Sequence, residues 1–225
     1  MFSYKEYKKI LSMFDFVDFT ELTEGKAVLR HDVEYSPKRA LEIAKIDAEH
    51  NIKSSFFFQV LSTCYNLFSV DNREIVYEIL SMGHKIGLHV YCSFVSDYKL
   101  SDLKSEILKQ KNLIDNVFKV DRFCLHRPKV WMLEQNDDYI CGMLNAYGKS
   151  YFNYPKPKDV KYFADSMHQW KYGYPSYNND KIQINIHPDS WSKNGESINK
   201  NFNNLVLENR DLYKEVLKRE GRHFR

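Results

Sequence analysis

No stretch of the 225-residue chain is long and apolar enough to read as a transmembrane helix. The N-terminal run MFSYKEYKKILSMFDF has lysines among its apolar residues and lacks a small-residue cleavage site, so it does not read as a secretory signal. The four cysteines, Cys64, Cys92, Cys124 and Cys141, are far apart and form no C-x-x-C pair, which argues against a zinc knuckle or a disulfide framework. A basic block is also missing. The 33 Lys and Arg alternate with 30 Asp and Glu for a formal charge of +3, and no nucleic-acid partner is expected. With no internal repeat and no linker, one cytoplasmic domain over residues 1–225 is the expectation.

What the sequence does contain is an alternation of strand-like and helix-like segments. Residues 3–14 put Tyr4, Tyr7, Ile10, Leu11 and Phe14 on one helical face and Lys5, Lys8 and Lys9 on the other. A short apolar strand at 27–29 runs into Arg30-His31-Asp32-Val33-Glu34. Ser36 and Pro37 then supply the cap and first-turn proline of a helix to about residue 50. The β-prone run 52–60 predicts a second strand. A helix over 72–82 ends at Gly83, where a left-handed cap is needed, and a third strand follows at 84–90. A long helix over 100–117 precedes a strand at 122–125. Further strands are expected at 160–164 and 181–186, and a closing helix over 201–218. Such alternation implies a parallel sheet, and at this length a closed or nearly closed β/α barrel is favoured over an open doubly wound sheet.

The polar residues fall where the strands end: His31 and Asp32, His89, His126, Asp165 and His187. The carboxyl ends of parallel barrel strands share one rim, so these side chains are expected around a single cleft. Several histidines with carboxylates point to a divalent metal, zinc first, with nickel or cobalt as alternatives. Zinc with an open coordination position activates water, so the chemistry implied is hydrolysis. His84 lies an odd number of positions from His89 and is expected on the opposite face in a structural role. His50, His168 and His223 are not expected in the site. Trp131, Trp170, Tyr172, Tyr174 and Trp191 lie near the expected strand-end loops and are candidates for stacking on sugar rings, with core packing favoured for Trp191.

The segments LRHDVEYSP (Leu29 to Pro37), SSFFF, GHKIGLH, LHRP, YFADS and INIHPDSW, in this order, resemble the motifs of the NodB-type polysaccharide deacetylases, or carbohydrate esterase family 4. The first motif is most similar to a subgroup reading R-H-D-V-D. The resemblance implies a distorted (β/α)7 barrel, TIM-barrel-like. It also implies a metal-dependent hydrolase that removes an N-acyl group, acetyl first, from an amino sugar in a surface-polysaccharide or nucleotide-sugar precursor. By the same resemblance His89 and a carboxylate, assigned to Glu34, would hold the metal, with His126 as the candidate replacement for the ligand missing at Ser93. Asp32 would be the base, and the two carboxylates remain exchangeable in role. His187 would be the acid. Outside the resemblance, Arg127 is a candidate stabiliser of developing negative charge, and Asp165 is a strand-end carboxylate that could orient a catalytic histidine or bind a sugar hydroxyl. His31, Tyr35, Trp170 and Trp191 are the candidate sugar contacts. The chain departs from the family pattern in three places: Asp32-Val33-Glu34 replaces Asp-Asp-Gly; Ser93 stands where a second metal histidine is expected and His126, followed by Arg127, where an arginine is expected; and Asp165-Ser166 has no equivalent in the family's motifs. Two alternatives therefore stay open, a non-catalytic barrel that binds a glycan or protein, and a hydrolase of a non-sugar amide.

Overall fold

In the computed structural model, polar and apolar side chains alternate along strands that are buried on both faces, and this alternation organises the molecule. The structure describes residues 1–93, 95, 99–152, 159–177, 180–221 and 223. In chain order the elements are α1 (Tyr4–Leu11), β1 (Ala27–Val33), α2 (Pro37–Glu49), β2 (Ser55–Phe58), α3 (Val70–Ser81), β3 (Lys85–Tyr91) and α4 (Leu100–Asp115). They continue with β4 (Arg122–His126), α5 (Val130–Leu133), β5 (Tyr139–Ile140), β6 (Met143–Asn145), β7 (Val160–Ala164), β8 (Lys181–Ile186) and α6 (Ile198–Glu220). No helix among the described residues is long and apolar enough to cross a membrane.

Among the described residues, eight strands form one mixed sheet in the order β5-β6-β4-β3-β2-β1-β8-β7, parallel throughout except where β5 runs antiparallel to β6. This is the α/β fold the alternation predicts, with helices flanking a sheet that curls but stays open. The curl is visible at Gln183 on β8. Its amide donates to Ala146 O at 3.0 Å and Tyr151 O at 2.6 Å, in the segment just after β6, although β4, β3, β2 and β1 lie between those strands in the sheet.

Parity assigns the two faces. On β1, Arg30 and Asp32 point inward, while His31 points outward toward α1 and α2. There its Nε2 lies 2.9 Å from Asp47 Oδ2 and its ring stacks on Phe56 at 4.3 Å. Gly87 on β3 faces inward because nothing larger fits: a Cβ there would lie 2.6 Å from the Phe57 ring and 2.8 Å from Arg122 Cγ.

The helix caps follow the sequence. Ser36 Oγ accepts from Arg39 N at 3.3 Å, and Gly83 adopts φ +88° after α3. Two differences from the expectation matter. β1 runs through Val33, because β2 and β8 pair with it on both sides, so the polar cluster lies within the strand rather than after it. The stretch after Pro128, where periodicity fades, holds α5 and the β5–β6 hairpin, whose two-residue turn places Cys141 at φ 53° and Gly142 at φ 74°.

Candidate metal centre

Three lone-pair atoms from three strand ends converge at the carboxyl rim. Glu34, one residue past β1, places Oε1 2.8 Å from His126 Nδ1 and 3.5 Å from His89 Nε2, and the two histidine nitrogens are 3.2 Å apart. Donor atoms around a tetrahedral zinc are roughly 3.3 Å from one another, so this spacing fits a small divalent cation. The chemistry fits as well. His89 Nδ1 lies 2.9 Å from Cys124 Sγ, which leaves Nε2 as the ring's free lone pair. Burial lowers the His89 pKa and favours the neutral imidazole that ligation requires. Tyr91 stacks on the His126 ring at 5.3 Å and holds its plane.

Asp32 sits beside this trio. Its carboxylate receives Arg30 Nε and Nη2 at 2.8 and 2.7 Å and Asn185 Nδ2 at 3.0 Å, and the Cys124 thiol donates to it at 3.3 Å. Burial alone would raise its pKa, but the Arg30 guanidinium overrides burial and holds the carboxyl well below the usual range. Arg30 is itself fully buried, under the Tyr147 ring at 4.6 Å. Cys124 thus lies between Asp32 and His89, and Asp32, His89 and Cys124 form a second convergent group that shares the His89 ring.

On the neighbouring strand ends, His187 follows β8 and Asp165 follows β7. His187 Nδ1 lies 2.6 Å from Asp165 Oδ1, whose carboxylate also accepts the His187 main-chain N–H and the Trp191 indole N–H at 2.6 Å. Burial would lower the His187 pKa, but the adjacent Asp165 carboxylate outweighs it and raises the imidazolium to about 9. The ring is therefore a cation near neutral pH, with Nδ1 committed to Asp165.

Some of these groups line a cleft of about 580 Å³, within the usual range for small-molecule sites, while His126, Cys124 and Asp165 lie behind its wall. Asp32, Glu34, Tyr35, His89, Arg127 and His187 all line it. Arg127 reaches the wall with φ +50°, a left-handed backbone rare for a side-chain-bearing residue. Glu34, not Asp32, is the carboxylate that meets both His89 and His126. Ser93 is exposed and belongs to neither convergent group.

Three expected sugar contacts lie elsewhere. His31 points away from the cleft on the outer face of β1 and is fully buried. Trp191 is 1 % exposed and spends its indole N–H on Asp165. Trp170 packs against Phe2 and Trp191 and is not part of the cleft wall. Strand parity accounts for His31: one residue from Asp32 means the opposite face. Sequence reasoning also passed over Arg30, Cys124, Asn185 and Asp189. The first three share the inward parity of Asp32, His126 and His187, a signal present in the alternations R-H-D, C-L-H and N-I-H. His168, set aside in the sequence, lines the cleft, whereas His84 is structural as expected, with Nε2 3.0 Å from Ala44 O.

Compared with known proteins, the chain matches no family model and no curated protein. Among solved structures it is similar to a CE4 family pseudoenzyme from Bacillus anthracis, at 16 % identity and TM-score 0.48, over 81 % of this chain and 60 % of that one. It is also similar to a family 4 carbohydrate esterase from Bacillus anthracis, at 16 % identity and TM-score 0.46, over 91 % and 86 % of the two chains. A third is the chitin deacetylase from the fungal pathogen Colletotrichum lindemuthianum, at 12 % identity and TM-score 0.41, over 83 % of each. The chain spans about three fifths of the length of the pseudoenzyme.

Proposed function

We propose that this chain is a metal-dependent hydrolase that removes an acyl group, acetyl first, from the nitrogen of an amino sugar. The observation that carries the reading is the meeting of Glu34, His89 and His126 beside a cleft that is also lined by His187 of the Asp165–His187 pair. Glu34, His89 and His126 would hold the ion, zinc before nickel or cobalt. A bound divalent ion supplies Lewis acidity, which polarises an acyl carbonyl and makes water a nucleophile near neutral pH. Asp32 accepts the water's proton. His187, protonated through Asp165, gives its proton to the departing nitrogen, so an amide and water become a carboxylate and an ammonium. The Arg127 cation, which also lines the cleft, opposes the negative charge that develops on the acyl oxygen. Tyr35 and Phe202, packed edge to face at 5.5 Å, offer aromatic surface for the sugar in place of the buried tryptophans.

A second reading, a barrel that binds a glycan or protein without turning it over, is favoured by the state of Asp32. A general base works best with a pKa near the working pH. Asp32 is instead saturated by Arg30, Asn185 and Cys124 and held strongly acidic. Acetate release from a panel of N-acetylated amino sugars, measured on zinc-loaded protein, separates the two. Release abolished by Asp32→Asn supports hydrolysis. Sugar binding without release by fully loaded protein supports the binding barrel.

A further inference from the structure

A short 3-10 turn (Ser166–His168) follows Asp165, and all three of its residues line the cleft. Met167, at its centre, has φ 57° and ψ 30°, and His168 follows at φ 60°. Two successive side-chain-bearing residues in the left-handed region carry backbone strain, which persists only where the surroundings impose it. Here they do. Asp165 O accepts the His168 main-chain N–H at 2.9 Å, Ser166 O accepts that of Gln169 at 3.3 Å, and the Asp165 carboxylate is held by His187 and Trp191. The His168 ring packs on Phe2 with centroids 4.1 Å apart.

This turn leaves Met167 89 % exposed, more than any other large hydrophobic side chain among the described residues, and places it on the lining of the cleft. A lone exposed apolar residue is ordinary on a protein surface. One presented to a cleft by unfavourable backbone geometry is not, because glycine or asparagine would take that conformation at less cost. Strain of this kind gathers at ligand sites, where it holds a contact ready. The thioether is flexible and polarisable and adapts to irregular apolar surface, such as the C–H face of a pyranose. In the proposed reaction the neighbouring Asp165–His187 pair protonates the sugar nitrogen, so the rim beside that pair adjoins the sugar.

We infer that Met167 is a sugar-binding residue of the cleft, its side chain packing on the apolar face of the amino-sugar ring and leaving water when the sugar binds. The inference rests on the reading of the cleft as a site for acylated amino sugars and names the group that grips the ring. Met167 is not among the proposed metal ligands, so its contribution separates from that of the ion.

The test titrates zinc-loaded protein, isotopically labelled at its methionine methyl groups, with N-acetylglucosamine, N-acetylgalactosamine and N-acetylmannosamine, followed by NMR and by calorimetry. The chain has six methionines, and Met167→Leu identifies the Met167 signal. For a sugar that binds, the Met167 methyl is expected to shift to saturation and to show nuclear Overhauser effects to ring protons. Met167→Asn suits the left-handed backbone but lacks the apolar surface. It is expected to bind that sugar about tenfold more weakly, with zinc affinity unchanged and a thermal midpoint no lower than wild type, whereas M167L keeps most of the sugar affinity. A Met167 methyl that stays in place as the sugar saturates, M167N that binds as tightly as wild type, or equal losses in M167N and M167L overturn the inference alone. Loss of zinc or a lower midpoint in M167N would assign the turn a structural role and also overturn it. Wild type that holds zinc yet binds none of the sugars overturns the reading of the cleft together with this inference. The methyl titration of wild type is independent of how M167N folds.

Discussion

His187 owes its charge chiefly to the Asp165 carboxylate 2.6 Å away, with smaller help from Glu34 and Asp32, and this gives a pH dependence with a definite sign. The folded imidazolium is raised from 6.5 to about 9. The pair therefore contributes stability that is complete below pH 6.5 and is lost as the pH rises through about 9. If His187 is the acid, acetate release falls over the same upper limb, and Asp165→Asn moves that limb down toward 6.5 in the pH–rate profile. A limb that stays in place would remove Asp165 from this role. Cys124 makes a separate prediction. Because it bridges His89 and Asp32, Cys124→Ala is expected to weaken zinc binding by about 10- to 100-fold in competition with a chromophoric chelator, whereas Cys124→Ser keeps most of it. At this scale much was legible: His89, His126, His187 and the 32–34 carboxylates were visible as strand-end polar residues. What misled was ignoring parity within the strand, which sends His31 to Asp47 and brings Arg30 and Asn185 to Asp32.

Among the elements, those with strong periodicity and caps are where the sequence puts them, including α2 behind Ser36-Pro37 and α3 ahead of Gly83. The β5–β6 hairpin was not legible, because strands of two and three residues are too short to show a period. β3 depends on a feature that periodicity does not report, the missing side chain at Gly87 that admits the Phe57 ring and the Arg122 stem. Gly87→Ala is expected to lower stability by about 1–3 kcal/mol through overpacking. Urea denaturation checks this, and an unchanged midpoint would mean that Phe57 and Arg122 can move aside.

For the whole molecule, alternation of elements revealed the α/β class and the flanking helices, but not how far the sheet curls. That depends on contacts between residues far apart in sequence, above all Gln183, whose amide ties β8 to the Ala146 and Tyr151 carbonyls. Gln183→Leu leaves both carbonyls buried without their partner and is expected to cost about 2 kcal/mol or more, read as a lower thermal midpoint. The curl also brings β1, β3, β4 and β8 to one mouth, and the account stands on what that mouth holds. Zinc stoichiometry after reconstitution and dialysis, measured by mass spectrometry on wild type and on Glu34→Ala, His89→Ala and His126→Ala, tests it most directly. Stoichiometric zinc in wild type, lost from each variant while the fold persists by circular dichroism, is the predicted result. A wild type that stays free of zinc, nickel and cobalt, or variants that retain the ion as tightly as wild type, would contradict a metal centre built from these three side chains.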